Sequence, residues 1–102
     1  IYIIQKENIH KDMILIADSG STKTDWCVVD GGQLVRQVIS KGMNPFFQTE
    51  EEMENEISGK LKPELNSTKF DGIFFYGAGC IPEKVSVVRE VLANHFQVND
   101  EI

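Results

Sequence analysis

The sequence is short of several things, and each shortage excludes a class of function. No apolar run approaches the ~18 consecutive residues of a membrane-spanning helix, so no such span is expected. Basic residues are outnumbered, 10 Lys and Arg against 16 Asp and Glu, for a formal charge of −6. A protein that grips nucleic acid through its phosphates wants a basic face. A peripheral membrane anchor wants a polybasic cluster. Neither is present. Cysteine occurs twice, as Cys27 and Cys80, with no CxxC pair and no zinc spacing. The pair reads as buried reduced thiols in a cytoplasmic protein, with a functional thiol as the alternative. No secretory signal is evident in residues 1–12 (IYIIQKENIHKD), which lack a small-residue cleavage site and a long enough apolar stretch. Asn66-Ser67-Thr68 therefore reads as a polar loop, although it matches a glycosylation sequon. Internal repeats, low-complexity tracts and linkers are also missing.

What remains is an ordinary globular composition, 41% hydrophobic and 25% charged. A chain of 102 residues has room for one domain. It can bury about two-thirds of its unfolded surface. Whether it holds a complete enzyme is open, because small-molecule sites often lie between two domains. Met13 directly precedes an apolar strand pattern. Residues 1–12 are therefore expected to be an N-terminal extension, and residues 13–102 the folding unit.

Met13–Ala17 is a continuous apolar run ending at Asp18. Apolar residues on both faces predict a central strand with cover on each side. Lys23–Val29 predicts a second strand with Thr24, Trp26 and Val28 on one face, and Gln33–Ile39 a third, more polar and nearer an edge. Asp30-Gly31-Gly32 joins them as a hairpin, since this dipeptide accepts positive φ. Short connections make the three strands antiparallel. Gly42-Met43-Asn44-Pro45 then breaks the pattern. Thr49 and Glu52 have capping-box spacing, and Glu50–Glu52 suit the positive end of a helix. Met53, Ile57 and Leu61 form one stripe, and Pro63 is expected to stop the helix. Its acidic residues read as a solvated face, with an interaction surface as the alternative. Ile73–Tyr76 (IFFY) predicts a short buried strand ending at Gly77-Ala78-Gly79-Cys80. Pro82 suits the first turn of a second helix. Val85, Val88, Val91, Leu92 and Phe96 give that helix its buried side. The order is β-β-β-α-β-α, an α/β unit with a mixed sheet.

The segment Asp18-Ser19-Gly20-Ser21-Thr22-Lys23-Thr24 carries the chemistry. Gly20 lets a ligand approach the backbone closely. Successive N–H groups in such a turn can form an anion-binding concavity. Ser21, Thr22 and Thr24 add hydroxyls, and Lys23 adds a charge. Asp18 stands at the carboxyl end of a central strand, where α/β sheets commonly bind ligands. A carboxylate there suits Mg²⁺ held against a nucleotide phosphate. The plain reading is a polar hairpin turn without function. It is not a P-loop, because Gly-Lys-Ser/Thr is missing and a strand follows where a P-loop needs a helix. It is not GxGxxG for the same reason.

An apolar strand, then DSGSTKTDW, then a hairpin at Asp-Gly resembles the first phosphate motif of the sugar kinase/Hsp70/actin superfamily. Within it the chain is most similar to the BadF/BadG/BcrA/BcrD-type ATPases, which include N-acetylglucosamine kinases. The resemblance extends from about Met13 to the C-terminus and includes Gly42-Met43-Asn44-Pro45. It implies the first subdomain of an actin-like, ribonuclease H-like ATPase fold, lacking its last strand. It implies ATP and Mg²⁺ as cofactors and an amino sugar as substrate, with no nucleic-acid or membrane partner. Asp18 would face Mg²⁺ through water. Gly20, Ser21 and Thr22 would wrap the phosphates, with Lys23 beside them at a position that strand alternation can turn to solvent. Asn44 would contact the sugar, and Gly77, Ala78 and Gly79 would line the cleft. The alternatives are a turn residue before Pro45 for Asn44, and a plain strand-to-helix turn for the glycines. Trp26 and Tyr76 are assigned to packing, and neither His10 nor His95 is expected to be a base.

The resemblance places the catalytic carboxylate at the end of the next strand, beyond Ile102, with Asp100 and Glu101 preceding that strand. The 102-residue chain alone would then be inactive, its partner being the missing C-terminal part of the same protein, with a homodimer possible. Without that strand, IFFY would be left as an unpaired edge. Two other readings stay open. One is an ATPase activator of a radical dehydratase or reductase, whose cluster-ligating cysteines Cys27 and Cys80 do not supply. The other is a non-catalytic sugar sensor or a small α/β binding module.

Overall fold

The computed structural model describes residues 13–20, 22–66, 69–77 and 82–101. Five strands form one sheet in the order β3-β2-β1-β4-β5. They are β1 Met13–Ser19, β2 Lys23–Asp30, β3 Gln33–Lys41, β4 Lys69–Gly77 and β5 Gln97–Glu101. Strands β1, β2 and β3 are antiparallel to one another in turn. Strands β1, β4 and β5 run parallel, so the sheet is mixed. The turn between β2 and β3 is the two-residue Gly31-Gly32, at φ 60° and 82°. Positive φ at both positions matches the right-handed twist of the strands, and only glycine adopts it cheaply.

The fifth strand corrects the expected order. Lys69 pairs with Gln97, Phe70 with Val98 and Gly72 with Glu101, so β5 lines the start of β4 and, among the described residues, its ladder ends before IFFY. Asp100 and Glu101 lie within β5 and do not precede it. Strand β4 is also longer than IFFY. It begins at Lys69, and Asp71 Oδ2 accepts the Met13 N–H at 2.8 Å, fixing the start of β1.

The first helix is built as its caps predict. Thr49 Oγ1 accepts from Glu52 N at 3.1 Å and Glu52 Oε1 from Thr49 N at 2.9 Å. Beyond α1 (Glu50–Glu56), however, the helix does not stop at Pro63. It widens into a π turn over Ile57–Leu61 and continues as α2, Lys62–Leu65. The Lys62 N–H reaches back to Ile57 O, five residues away. Pro63 falls in the first turn of α2, where a missing N–H and a fixed φ are tolerated. The wider turn keeps Met53, Ile57 and Leu61 on one stripe, all fully buried. Asn66, left-handed at φ 61°, ends the run.

Helix α3 spans Pro82–His95. Its Val88, Val91 and Leu92 join the α1–α2 stripe over Leu15, Ala17, Trp26, Val28, Val38 and Ile73. Val85, expected on the buried side, is half-buried. Trp26 is fully buried and donates Nε1–H to Ser40 Oγ at 2.8 Å. The packing role assigned to it holds. Phe70 and Phe96 meet edge-on, 5.7 Å apart. Helices cover one face of β1. On the other, Ile14 is buried and Ile16, Cys27, Val29, Phe74 and Tyr76 are half-buried. No helix among the described residues is long and apolar enough to cross a membrane.

Candidate functional site

Strand register decides which residues meet. Ser19 pairs with Thr24 on one side and Gly77 on the other, while Lys23 pairs with Lys41. The carboxyl ends of β1 and β4, the turn after β1 and the loop after β3 therefore share one end of the sheet. Asp18, Gly20, Thr22, Lys23, Asn44 and Gly77, scattered along the sequence, converge there. Ser21, Ala78 and Gly79, named with them, lie outside the described residues, as do Cys80 and His10.

Asp18 is exposed and sits opposite Asp25 across the antiparallel pair, with Tyr76 on its other side. Two carboxylates in that relation repel. Asp25 is held: both its oxygens accept from Gln37 Nε2, at 2.7 and 3.0 Å. The Asp18 carboxylate faces solvent next to this second negative charge. Its hard oxygens suit a small dication. Thr22 and Lys23 are exposed beside it. The Gly20 N–H is already used, since it donates to Lys23 O at 2.8 Å and closes the hairpin.

Asn44 is buried and organises its own loop. Its Oδ1 accepts from Phe46 N at 2.9 Å, its N–H donates to Gln48 Oε1 at 2.7 Å, and its carbonyl accepts from the Phe47 and Gln48 N–H groups, each at 3.0 Å. The turn-residue reading of Asn44 is thus realised in the structure. Among the described residues its carboxamide NH₂ has no partner. Beside the loop, an open cleft of about 240 Å³ is lined by Lys41, Gln48, Glu52, Asn55 and Glu56. Two carboxylates to one ammonium make it a poor seat for phosphate.

Three features of this end were not anticipated. The first is a buried pair of hydroxyls, Ser19 and Thr24, 2.8 Å apart. The second is the exposure of Phe46 and Phe47, the latter 79% accessible. The third is Lys84, whose Nζ lies 5.8 Å from the centre of the Phe46 ring and ties the start of α3 to this loop. Two adjacent phenylalanines in a segment with neither strand nor helix periodicity were the available signal for the second.

The remaining candidates behave as ordinary groups. Cys27, expected to be buried, is half-buried. Its thiol pKa is pushed up by burial, and further by the charge and hydrogen bonding of Asp25. Burial also raises the pKa of the half-buried Tyr76 phenol. His95, at the end of α3, has its Nε2 3.9 Å from Glu54 Oε1, a carboxylate that also accepts from Asn94 Nδ2 at 2.8 Å. This cluster joins α1 to α3. Among the described residues no cluster of metal-ligating side chains occurs.

No family model and no curated protein sequence matches the chain. Solved structures do. A candidate N-acetylglucosamine kinase from Porphyromonas gingivalis superposes on 87% of this chain with a TM-score of 0.76 and 34% identity. A Bacteroides thetaiotaomicron protein of actin-like ATPase fold covers 93% at a TM-score of 0.56 and 17% identity, a likeness of fold alone. The chain spans about a third of the length of each, 33% and 34%. Its fold is that of the actin-like ATPases.

Proposed function

We propose that this chain is the N-terminal part of an ATP-dependent kinase of the BadF/BadG type, acting on N-acetylglucosamine or a related amino sugar. The observation that supports this most is the convergence at one end of the sheet. The exposed Asp18 and the tight turn after it stand next to the Asn44 loop, so a phosphate site and a sugar site adjoin. The 34% identity to the Porphyromonas gingivalis protein, with that protein's kinase name, adds to it.

In this reading Asp18 would hold Mg²⁺, through water, with Asp25 adding to the local negative charge. Magnesium, when bound, neutralises charge on the transferring phosphoryl group. Gly20 contributes the side chain it lacks, because its N–H is used within the hairpin. Thr22 supplies a hydroxyl to the phosphates. Asn44 meets a sugar hydroxyl through its NH₂ group, since Oδ1 already accepts within the loop. The proton of the attacking hydroxyl needs a carboxylate acceptor. Asp100 and Glu101 are not placed for it. Glu101 pairs with Gly72, whereas the site lies level with Tyr76, the partner of Asp18. Four residues of strand are about 13 Å, so the acceptor belongs further along the chain. The activator reading gains nothing from Cys27, because a thiol held protonated is a poor metal ligand.

The test is a coupled ADP-release assay of the full-length protein over a panel of amino sugars. Turnover with N-acetylglucosamine or a close relative is expected. Sugar binding without ADP release would point to a sensor, and neither would reject the sugar site.

A further inference from the structure

Ser19 and Thr24 flank the hairpin turn that follows β1, and both side chains lie on the helix-covered side of the sheet, away from Asp18. Ser19 is 4% exposed and Thr24 fully buried. Buried hydroxyls need partners, and these two find theirs in the same loop. Thr24 Oγ1 donates to the Lys41 carbonyl at 3.0 Å. Its single proton is then spent, so in the 2.8 Å bond with Ser19 it accepts. Ser19 Oγ in turn accepts from the Met43 N–H at 2.9 Å. The shorter contacts form one directed chain, Met43 N–H to Ser19 O–H to Thr24 O–H to Lys41 C=O, with the Met43 carbonyl a longer second acceptor for the Ser19 proton at 3.4 Å. Each hydroxyl donates once and accepts once. Bonds in such a chain polarise one another.

The chain connects both flanks of the Gly20–Lys23 turn to both sides of Gly42, two residues before Asn44. We infer that Ser19 and Thr24 are positioning residues that couple nucleotide binding at the turn to amino-sugar binding at the Gly42–Gln48 loop. The inference rests on the kinase reading of the two sites. A turn drawn in around phosphates carries Ser19 and Thr24 with it, and the Met43 backbone moves with them. Linkage then requires each ligand to tighten the other by the same factor.

Calorimetry on the full-length protein tests this. The probes are N-acetylglucosamine and a non-hydrolysable ATP analogue with Mg²⁺, each titrated alone and with the other saturating. In the unmodified protein each ligand should tighten the other about 5-fold or more. Thr24→Val should bring that factor close to one while each ligand still binds. Thr24→Ser, which keeps the hydroxyl, should restore it. Ser19→Ala carries the same comparison where Thr24→Val does not fold. A factor unchanged in Thr24→Val or Ser19→Ala, or a factor of one in the unmodified protein, overturns the coupling and leaves the kinase reading standing. Failure of the unmodified protein to bind either probe overturns both.

Discussion

A methyl group added at Gly20 would meet, among the described residues, the Lys23 carbonyl oxygen at 3.7 Å, an ordinary contact. Its φ is not in the left-handed range that Gly31 and Gly32 occupy. The fold thus has no need of glycine there, which leaves room for the close ligand approach proposed above. Gly20→Ala should leave thermal stability unchanged or raise it by up to ~1 kcal/mol. It should weaken ATP-analogue binding about tenfold or more, a loss of ~1.4 kcal/mol. Undiminished nucleotide affinity would remove Gly20 from the site. Asn44 calls for a subtler change, because alanine would also dismantle its loop. Asn44→Asp keeps the acceptor for Phe46 N–H and deletes the NH₂ donor. The KM for sugar should rise several-fold more than the KM for ATP, and equal rises would speak against a sugar contact. Cys27 gives a pH test. Burial and Asp25 both favour the protonated thiol, so at pH 8 its alkylation by iodoacetamide, followed by peptide mass spectrometry, should be slower than that of a free cysteine. Asp25→Asn removes a negative neighbour, lowers the pKa and should speed the reaction. A slower reaction would contradict the electrostatic account.

Among the elements, those with local causes were legible in the sequence. Alternation predicted β2 with Thr24, Trp26 and Val28 inward, and all three are buried. Thr49 and Glu52 predicted the helix start, and both capping bonds are present. Thr49→Ala should cost about 1 kcal/mol in chemical denaturation. A change below a few tenths would mean that packing alone holds that end. Elements with non-local causes were not legible. Gln97–Glu101 has one apolar residue, Val98, and no strand alternation. What makes it a strand is the edge offered by β4. Pro63 looked like a terminator because an α-helix loses a hydrogen bond there. The five-residue bond from Lys62 N–H to Ile57 O shows how a π turn takes up the mismatch. The Ser19–Thr24 chain was invisible for a similar reason. Each hydroxyl is unremarkable in sequence, and only the pairing of β1, β2 and β3 sets them beside Met43 and Lys41.

At the scale of the whole molecule, the parallel ends of β1 and β4 and the return of β3 gather the candidate groups on one side. The turn motif and its resemblance singled out Asp18 and Asn44, which the strand register brings to the same end of the sheet, and the fold followed. Among the described residues β5 reaches the level of Gly72, not that of Asp18. The chain spans about a third of the length of each of these solved neighbours. The central claim is that the turn after Asp18 serves phosphoryl transfer to an amino sugar. The most direct measurement is kcat/KM for N-acetylglucosamine phosphorylation by the full-length protein and its Asp18→Asn variant, with folding checked by circular dichroism. The account predicts phosphorylated sugar and ADP in equal amounts, and a fall of ~10² or more in the folded variant, the scale of losing an electrostatic stabiliser of the transition state. Unchanged turnover in Asp18→Asn would contradict it.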